Sequence, residues 1–154
     1  MSETKNKYEP FVWCDWMSTG VEVIDAQHQN LLNMVNDAYN SLTETTSPVT
    51  FQRITKELLS YAIYHFQTEE SLMKEYGYVG ERSEEATQHI KEHRDFSAKI
   101  VAIRKTFSTG DRDQIIPILE FLQTWIANHT QKVDMKLGLF IQEKEAESSS
   151  SKTV

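Results

Sequence analysis

The sequence predicts an all-α protein: an antiparallel up-down-up-down four-helix bundle with an N-terminal arm and a short C-terminal helix. Three observations lead there. Apolar residues recur three and four apart and period-2 alternation is missing, the pattern of helices packed by one face. Proline and glycine are scarce, at three and five residues, and fall mostly between the periodic stretches. There are four long stretches, joined by short connections, which favours antiparallel neighbours. At 154 residues the chain fits one domain with one substantial core.

Residues 1–20 read as an arm. Phe11, Trp13 and Trp16 make it too aromatic for a disordered tail, so it is expected to pack on the bundle, residues 21–146. The first helix, from about Glu22 to Leu42, sets Ile24, His28, Leu31, Leu32, Val35 and Tyr39 on one stripe. Thr43 to Pro48 reads as a loop. The second helix, Thr50 to Tyr76, turns Leu58, Ala62, His65, Phe66, Glu69, Leu72 and Met73 inward, and Gly77 is placed to stop it. In the third, Ser83 to Phe107, Ser83 can cap the start and Glu84 and Glu85 suit the positive end of the helix dipole. Its inward face carries Ala86, His89, Ile90, His93, Phe96, Ile100, Ile103 and Phe107. Ser108 to Asp111 is a turn.

The fourth helix starts near Asp113. Pro117 falls within the first turn or so, where few backbone donors have intrahelical partners. Leu122, Trp125, Ile126, His129 and Val133 line its inner face. Beyond Gly138 a short helix reaches about Glu145, and residues 147–154, with Ser148 to Ser151, read as a disordered tail.

Charge and hydropathy exclude several classes. The formal net charge is −7 and no cluster of Lys and Arg stands out, which argues against nucleic acid or an anionic membrane as partner. No apolar run approaches the ~20 residues of a membrane-spanning helix, so no membrane insertion is expected. The polar N-terminus lacks the apolar segment of a signal peptide, and the expected location is cytoplasmic. Cys14 is alone and forms no intramolecular disulfide.

The chemistry lies in the histidines. All five fall on the predicted inward stripes. One buried imidazole is usually a structural residue; five with few polar neighbours would be costly, since each needs hydrogen bonds or a metal. His65 and Glu69 are four apart, as are His89 and His93, so each pair shares a helix face. With His28, His129 and Asp134, every helix offers a ligand toward one centre. Five imidazoles and two carboxylates are too many for one tetrahedral zinc. The set has no thiolate, which excludes iron–sulfur and soft-metal sites. It suits two iron ions, one with three histidines and one with two, the second keeping an open position. His129 and Asp134 are five apart, about 140° around a regular α-helix, so a single-turn π-bulge is expected between them.

The run Ile24-Asp25-Ala26-Gln27-His28, then His65-Phe66 with Glu69-Glu70 and Met73, then His89 with His93, then Trp125 with His129 and Asp134, resembles bacterial hemerythrin. The resemblance extends from Phe11 to about Leu137. It implies that His89, His93 and His129 bind one iron and His28 and His65 the other. Glu69 and Asp134 would bridge them beside an oxo or hydroxo group, and dioxygen would bind at the His28–His65 iron. Glu70, about 100° round the helix from Glu69, reads as solvated or as supporting a ligand; helix-start or supporting roles suit Asp25 and Gln27.

An apolar oxygen pocket is expected from Leu31, Phe66, Trp125 and Ile126. Thr130 stands where the family usually has an apolar residue, and its hydroxyl would stabilise a polar bound species, hasten autoxidation, or bond the preceding turn. The implied function is reversible oxygen binding for carriage, storage or delivery, with an oxygen-consuming enzyme as a possible partner, and not catalysis. Oxygen sensing, or an enzyme acting on peroxide or nitric oxide, is the alternative, and a helical interaction module with a structural metal is a further one. No histidine has a Glu three residues before it, unlike the carboxylate-rich ferritin-like di-iron sites. A self-contained bundle with a polar exterior is expected to be a monomer.

Overall fold

The computed structural model describes residues 12–44, 47–106 and 112–152. Phe11, Phe107 and the turn expected at Ser108 to Asp111 lie outside them. A 3-10 turn at Asp15–Met17 precedes α1 (Glu22–Glu44), α2 (Pro48–Glu75), a single-turn α3 (Tyr78–Glu81), α4 (Ser83–Thr106) and α5 (Arg112–Asn128). A π-helical segment (His129–Asp134) then leads without a break into α6 (Met135–Lys152). Among the described residues there is no strand.

Side-chain contacts give the topology. α1 meets α2 through Gln27 and Thr68 near one end and Asn30 and Tyr61 further along, so the two run antiparallel. α2 meets α4 through Gln52 and Arg104 at one end and Glu70 and His93 nearer the other. Phe96 packs on Phe121 and Trp125, and His93 faces His129, so α4 and α5 are antiparallel too. With His28 beside Asp134, the fourth helix closes the ring against α1. The bundle is up-down-up-down. Its main core, from Val35 and Phe51 to Phe96, Leu119 and Leu122, fills one end. A smaller core of Ile24, Met73, Tyr78, Ala86, Leu137, Phe140 and Ile141 closes the other.

Local chemistry sets the boundaries. Ser47 accepts a hydrogen bond from the Thr50 N–H at 3.3 Å, and Pro48 follows at the first helical position, where its missing N–H removes no intrahelical bond. Pro48, expected to end a loop, therefore opens α2. Gly77 adopts φ 83° after Tyr76 donates back to the Leu72 carbonyl, and α2 stops there. The short α3 that follows carries only one apolar anchor, Tyr78, too little periodicity to read from sequence. Pro117 is the sixth residue of α5, deeper than expected, and its ring deprives the Asp113 carbonyl of an intrahelical donor.

The C-terminal segment also differs from expectation. No separate short helix follows Gly138, and no tail begins at residue 147: one helix runs to Lys152. Extending an existing helix avoids the nucleation cost, so polar Ser148–Ser151 can continue it. Lys144 pairs with Glu81 at 2.7 Å and Tyr76 donates to Glu145 at 2.8 Å, tying α6 to the α2–α3 corner.

Gly138 lies inside α6 because the arm passes over it. A Cβ there would sit 2.5 Å from the Thr19 carbonyl oxygen. Thr19 is fixed from both sides: its N–H and hydroxyl donate to Asp25, each at 2.8 Å, and its carbonyl accepts from Gln142 at 2.6 Å. Trp13 and Met17 then pack on the main core, while Trp16 is 57% exposed. Gly138→Ala should lower stability by about 1–3 kcal/mol through this clash, despite a helix-propensity gain of ~1 kcal/mol. Gln142→Ala, which loses one hydrogen bond, should cost about 1 kcal/mol. Urea unfolding checks both, and an alanine at 138 as stable as glycine would show that the arm does not bear on α6.

Candidate metal centre

Each bundle helix contributes to one buried cluster. α1 supplies His28, α2 His65 and Glu69, α4 His89 and His93, and the π segment His129 and Asp134. All seven are at most 3% exposed, and both carboxylates are fully buried. Their donor atoms form two groups within 4.8 Å: Glu69, His89, His93, His129 and Asp134 in one, His28, His65, Glu69 and Asp134 in the other. Glu69 and Asp134 belong to both. Asp134 lies 2.7 Å from His28 Nε2 and 2.9 Å from the Nε2 atoms of His89 and His129. Glu69 lies 3.0 Å from His93 Nε2 and 3.4 Å from His65 Nε2.

These atoms suit a cation better than one another. His93 and His129 bring their Nε2 atoms to 3.1 Å. His65 Nε2, Glu69 Oε2 and Asp134 Oδ1 are buried and make no hydrogen bond of acceptable geometry, although neighbours stand within 2.9–3.4 Å. Donors this close and so misdirected have their lone pairs aimed between them. Five imidazoles and two carboxylates, with no thiolate, are a donor set for borderline metals such as iron.

The π segment makes this possible. In a regular α-helix residues five apart diverge by about 140°; the π-helical turn over His129–Asp134 brings both side chains inward. The sequence spacing anticipates this widening.

The outer ring nitrogens have their own partners. His65 Nδ1 lies 2.7 Å from Gln27 Oε1, and the Gln27 amide nitrogen donates to Thr68 Oγ1 at 3.1 Å. The Thr68 hydroxyl in turn donates to the Tyr64 carbonyl, so it can only accept from Gln27. Gln27 must then present its oxygen, His65 carries its proton on Nδ1, and the Nε2 lone pair faces the cluster. His93 Nδ1 meets Glu70 at 2.8 Å, so Glu70 does more than face solvent. His129 Nδ1 meets Glu92 at 3.0 Å, and sequence reasoning missed Glu92. Its only signal is its place next to His93 on a helix facing α5. Asp25, matching the family pattern, caps the arm instead. Phe66 stacks on His93 at 4.0 Å and Trp125 on His129 at 4.4 Å, holding both ring planes.

A small cavity with room for about one water-sized molecule adjoins the cluster. Leu31, Phe66, Trp125, Ile126 and Thr130 all line it, with Leu58, Ala62 and Phe96. It reaches both histidines of the four-residue group, His28 and His65, but only His129 of the other three. Thr130 is buried.

Electrostatics follow from burying opposite charges together. Burial works hardest against charging His65, yet the nearby carboxylates of Glu69 and Asp134 outweigh it and raise its pKa to about 9. His89 and His129 are raised against the same burial penalty by Asp134 and Glu69. Burial pushes Glu69 and Asp134 upward, and the Asp134 charge adds to this at Glu69, but the imidazoles win, and both sit well below the usual carboxylate range. The His129 hydrogen bond lowers Glu92. Without a metal the cluster holds protons where a cation would otherwise sit.

The family model described as the Hemerythrin HHE cation binding domain matches residues 19–139. Bacteriohemerythrin of Pseudomonas aeruginosa is 30% identical over 123 residues, covering 80% of this chain and 76% of the relative. Bacteriohemerythrin of Clostridium acetobutylicum is 30% identical over 128 residues, covering 80% and 95%. A crystal structure of wild-type hemerythrin superposes with a TM-score of 0.71 at 25% identity, over 83% of this chain and 95% of that one. The chain belongs to the hemerythrin family and carries a metal-binding helical bundle. No helix among the described residues is long and apolar enough to cross a membrane.

The shifts give the metal-free protein a defined pH dependence. Histidines raised above 6.5 stabilise the fold fully below that value and lose the contribution as pH climbs toward about 9. The depressed carboxylates contribute above their ordinary values of 4.5 and 3.8 and lose it as pH falls. Chelator-treated protein should melt highest between about pH 4.5 and 6.5 and progressively lower toward pH 9. Metal-loaded protein, whose imidazoles must be neutral, should keep its melting temperature across that alkaline range. Parallel alkaline declines in the two forms would contradict the assignment.

Proposed function

We infer that the chain binds dioxygen reversibly at a pair of iron ions. His89, His93 and His129 would hold one iron and His28 and His65 the other, with Glu69 and Asp134 shared between them beside an oxo or hydroxo group. Membership of the family supports a di-iron role in oxygen binding or sensing. The observation that carries the finer reading is the unequal division of donors beside an apolar cavity. Two shared carboxylates leave five residues around one position and four around the other. At equal coordination number a metal on the four-residue side would have one protein donor fewer, and the cavity adjoins that side through His28 and His65.

When bound, the irons would supply the reversible redox chemistry that oxygen binding needs. The chain's residues determine whether that exchange stays reversible. Leu31, Phe66, Trp125 and Ile126 exclude water from the cavity, which limits the protons that would drive loss of reduced oxygen. Gln27, Glu70 and Glu92 hold three of the imidazoles in the tautomer that binds metal. Thr130 is the hydroxyl side chain in the cavity wall, and it favours a polar species and its escape.

The test is a cycle on anaerobically reduced protein with iron counted. Two irons per chain and an absorption spectrum that changes with oxygen and returns on its removal support carriage, storage or delivery. Turnover of dioxygen, peroxide or nitric oxide without recovery would replace this reading with an enzyme. Glu69→Gln and Asp134→Asn should each bring bound iron below two per chain while circular dichroism stays helical. Thr130→Ile should slow autoxidation several-fold in stopped-flow traces; equal decay rates would remove the role given to that hydroxyl.

A further inference from the structure

The outward nitrogens of the five imidazoles are supported unequally. His93 and His129, both in the five-residue group, give their Nδ1 hydrogen bonds to carboxylates, Glu70 at 2.8 Å and Glu92 at 3.0 Å. In the four-residue group His65 donates to a neutral amide, Gln27, at 2.7 Å. Nδ1 of His28 and of His89 meets no hydrogen-bond partner among the described residues. Two negative charges thus support one side and none the other. Gln27 cannot reverse this by turning over, because Thr68 fixes its amide.

A carboxylate acceptor draws the Nδ1 proton toward itself and makes the opposite nitrogen a stronger donor; an amide does so far less. A stronger donor favours the higher metal charge. The Glu70 and Glu92 side chains are 33% and 28% exposed, so water screens their direct field. The hydrogen bond, which ends on an imidazole at most 3% exposed, carries the effect.

We propose that Glu70 and Glu92 are positioning residues that make the two irons electronically unequal, holding the ferric state more firmly at the His89–His93–His129 side and leaving the His28–His65 side easier to reduce. This rests on the di-iron reading above. It gives the side that adjoins the cavity a different redox character from its partner, although Glu69 and Asp134 are common to both.

The experiment is an anaerobic potentiometric titration of protein loaded with two irons, in which a mediator dye delivers one electron to one ferric ion per step and leaves it ferrous. The parent protein should show two separated steps. Glu70→Gln and Glu92→Gln keep an acceptor of the same shape and remove only its charge; each should raise the lower-potential step and narrow the gap. Gln27→Glu should narrow it from the other side by lowering the higher-potential step. Affinity for redox-inert zinc should fall ~10–100-fold in the two glutamate variants. If these residues only orient rings, the gap stays fixed in all loaded variants, and that result overturns the proposal. Should the glutamate variants fail to load in excess iron, Gln27→Glu decides: narrowing supports the proposal and an unchanged gap ends it. Failure of the parent protein to take up two irons would instead sink the di-iron reading itself.

Discussion

Everything in this bundle answers to two carboxylates with no access to water. Glu69 and Asp134 are fully buried, and an isolated buried carboxylate either neutralises itself or finds opposite charge. Here it finds imidazoles from four helices. No one helix can surround a carboxylate, so α1, α2, α4 and the π segment must meet at one level, which fixes their mutual register. The apolar cores on either side, one built on Val35, Phe51 and Leu119 and the other on Ile24, Tyr78 and Leu137, then pack as consequences of that level. The same geometry that holds protons at the cluster in the metal-free protein presents it with the donors a cation needs.

That requirement explains the two irregularities of the fourth helix. Asp134 must reach both donor groups while His129 stays with one, and the chain accommodates the pair by widening a single turn instead of breaking the helix. Because the widened turn continues into α6, Leu137, Phe140 and Ile141 arrive in position to seal the cluster from below. Gly138 faces the opposite demand, a backbone crossing at a distance no side chain permits. Thr19 sits on that glycine and hangs from Asp25, three residues before His28. The arm is thereby linked to the helix that presents a candidate ligand.

Much of this was legible because helices encode their inner face in spacing. The stripes through His28, His65, His89 and His129 follow from the 3.6-residue period, and the misfit of five between His129 and Asp134 calls for the widened turn. What stayed hidden depends on contacts between helices. Glu92 carries no periodic signal, since its partner is 37 residues away on the π segment. Pro48 read as the end of a loop because a proline at the first position of a helix and one between helices look alike without the Ser47 cap. Gly138 read as a boundary because a glycine that stops a helix and one that admits a crossing strand of backbone are the same letter. Residues 147–154 read as a tail because composition alone does not register that a packed helix already runs into them, as far as Lys152.

The support of the site is graded in charge, and on the di-iron reading this bears on how one scaffold would hold two metal ions and use them differently. The buried candidate ligands are nearly symmetric: both groups contain Glu69 and Asp134, and the rest are imidazoles. Any difference beyond the count of histidines must come from what lies behind the rings and from what space adjoins them. Both point the same way. The side backed by Glu70 and Glu92 reaches the cavity through His129 alone of its three histidines, while the side backed by Gln27 adjoins it through both His28 and His65. A chain that placed its charges behind the cavity side would strengthen donation where a ligand must later leave. Placing them behind the side with less of the cavity leaves the His28 and His65 donors weaker, which suits the reversible binding proposed above.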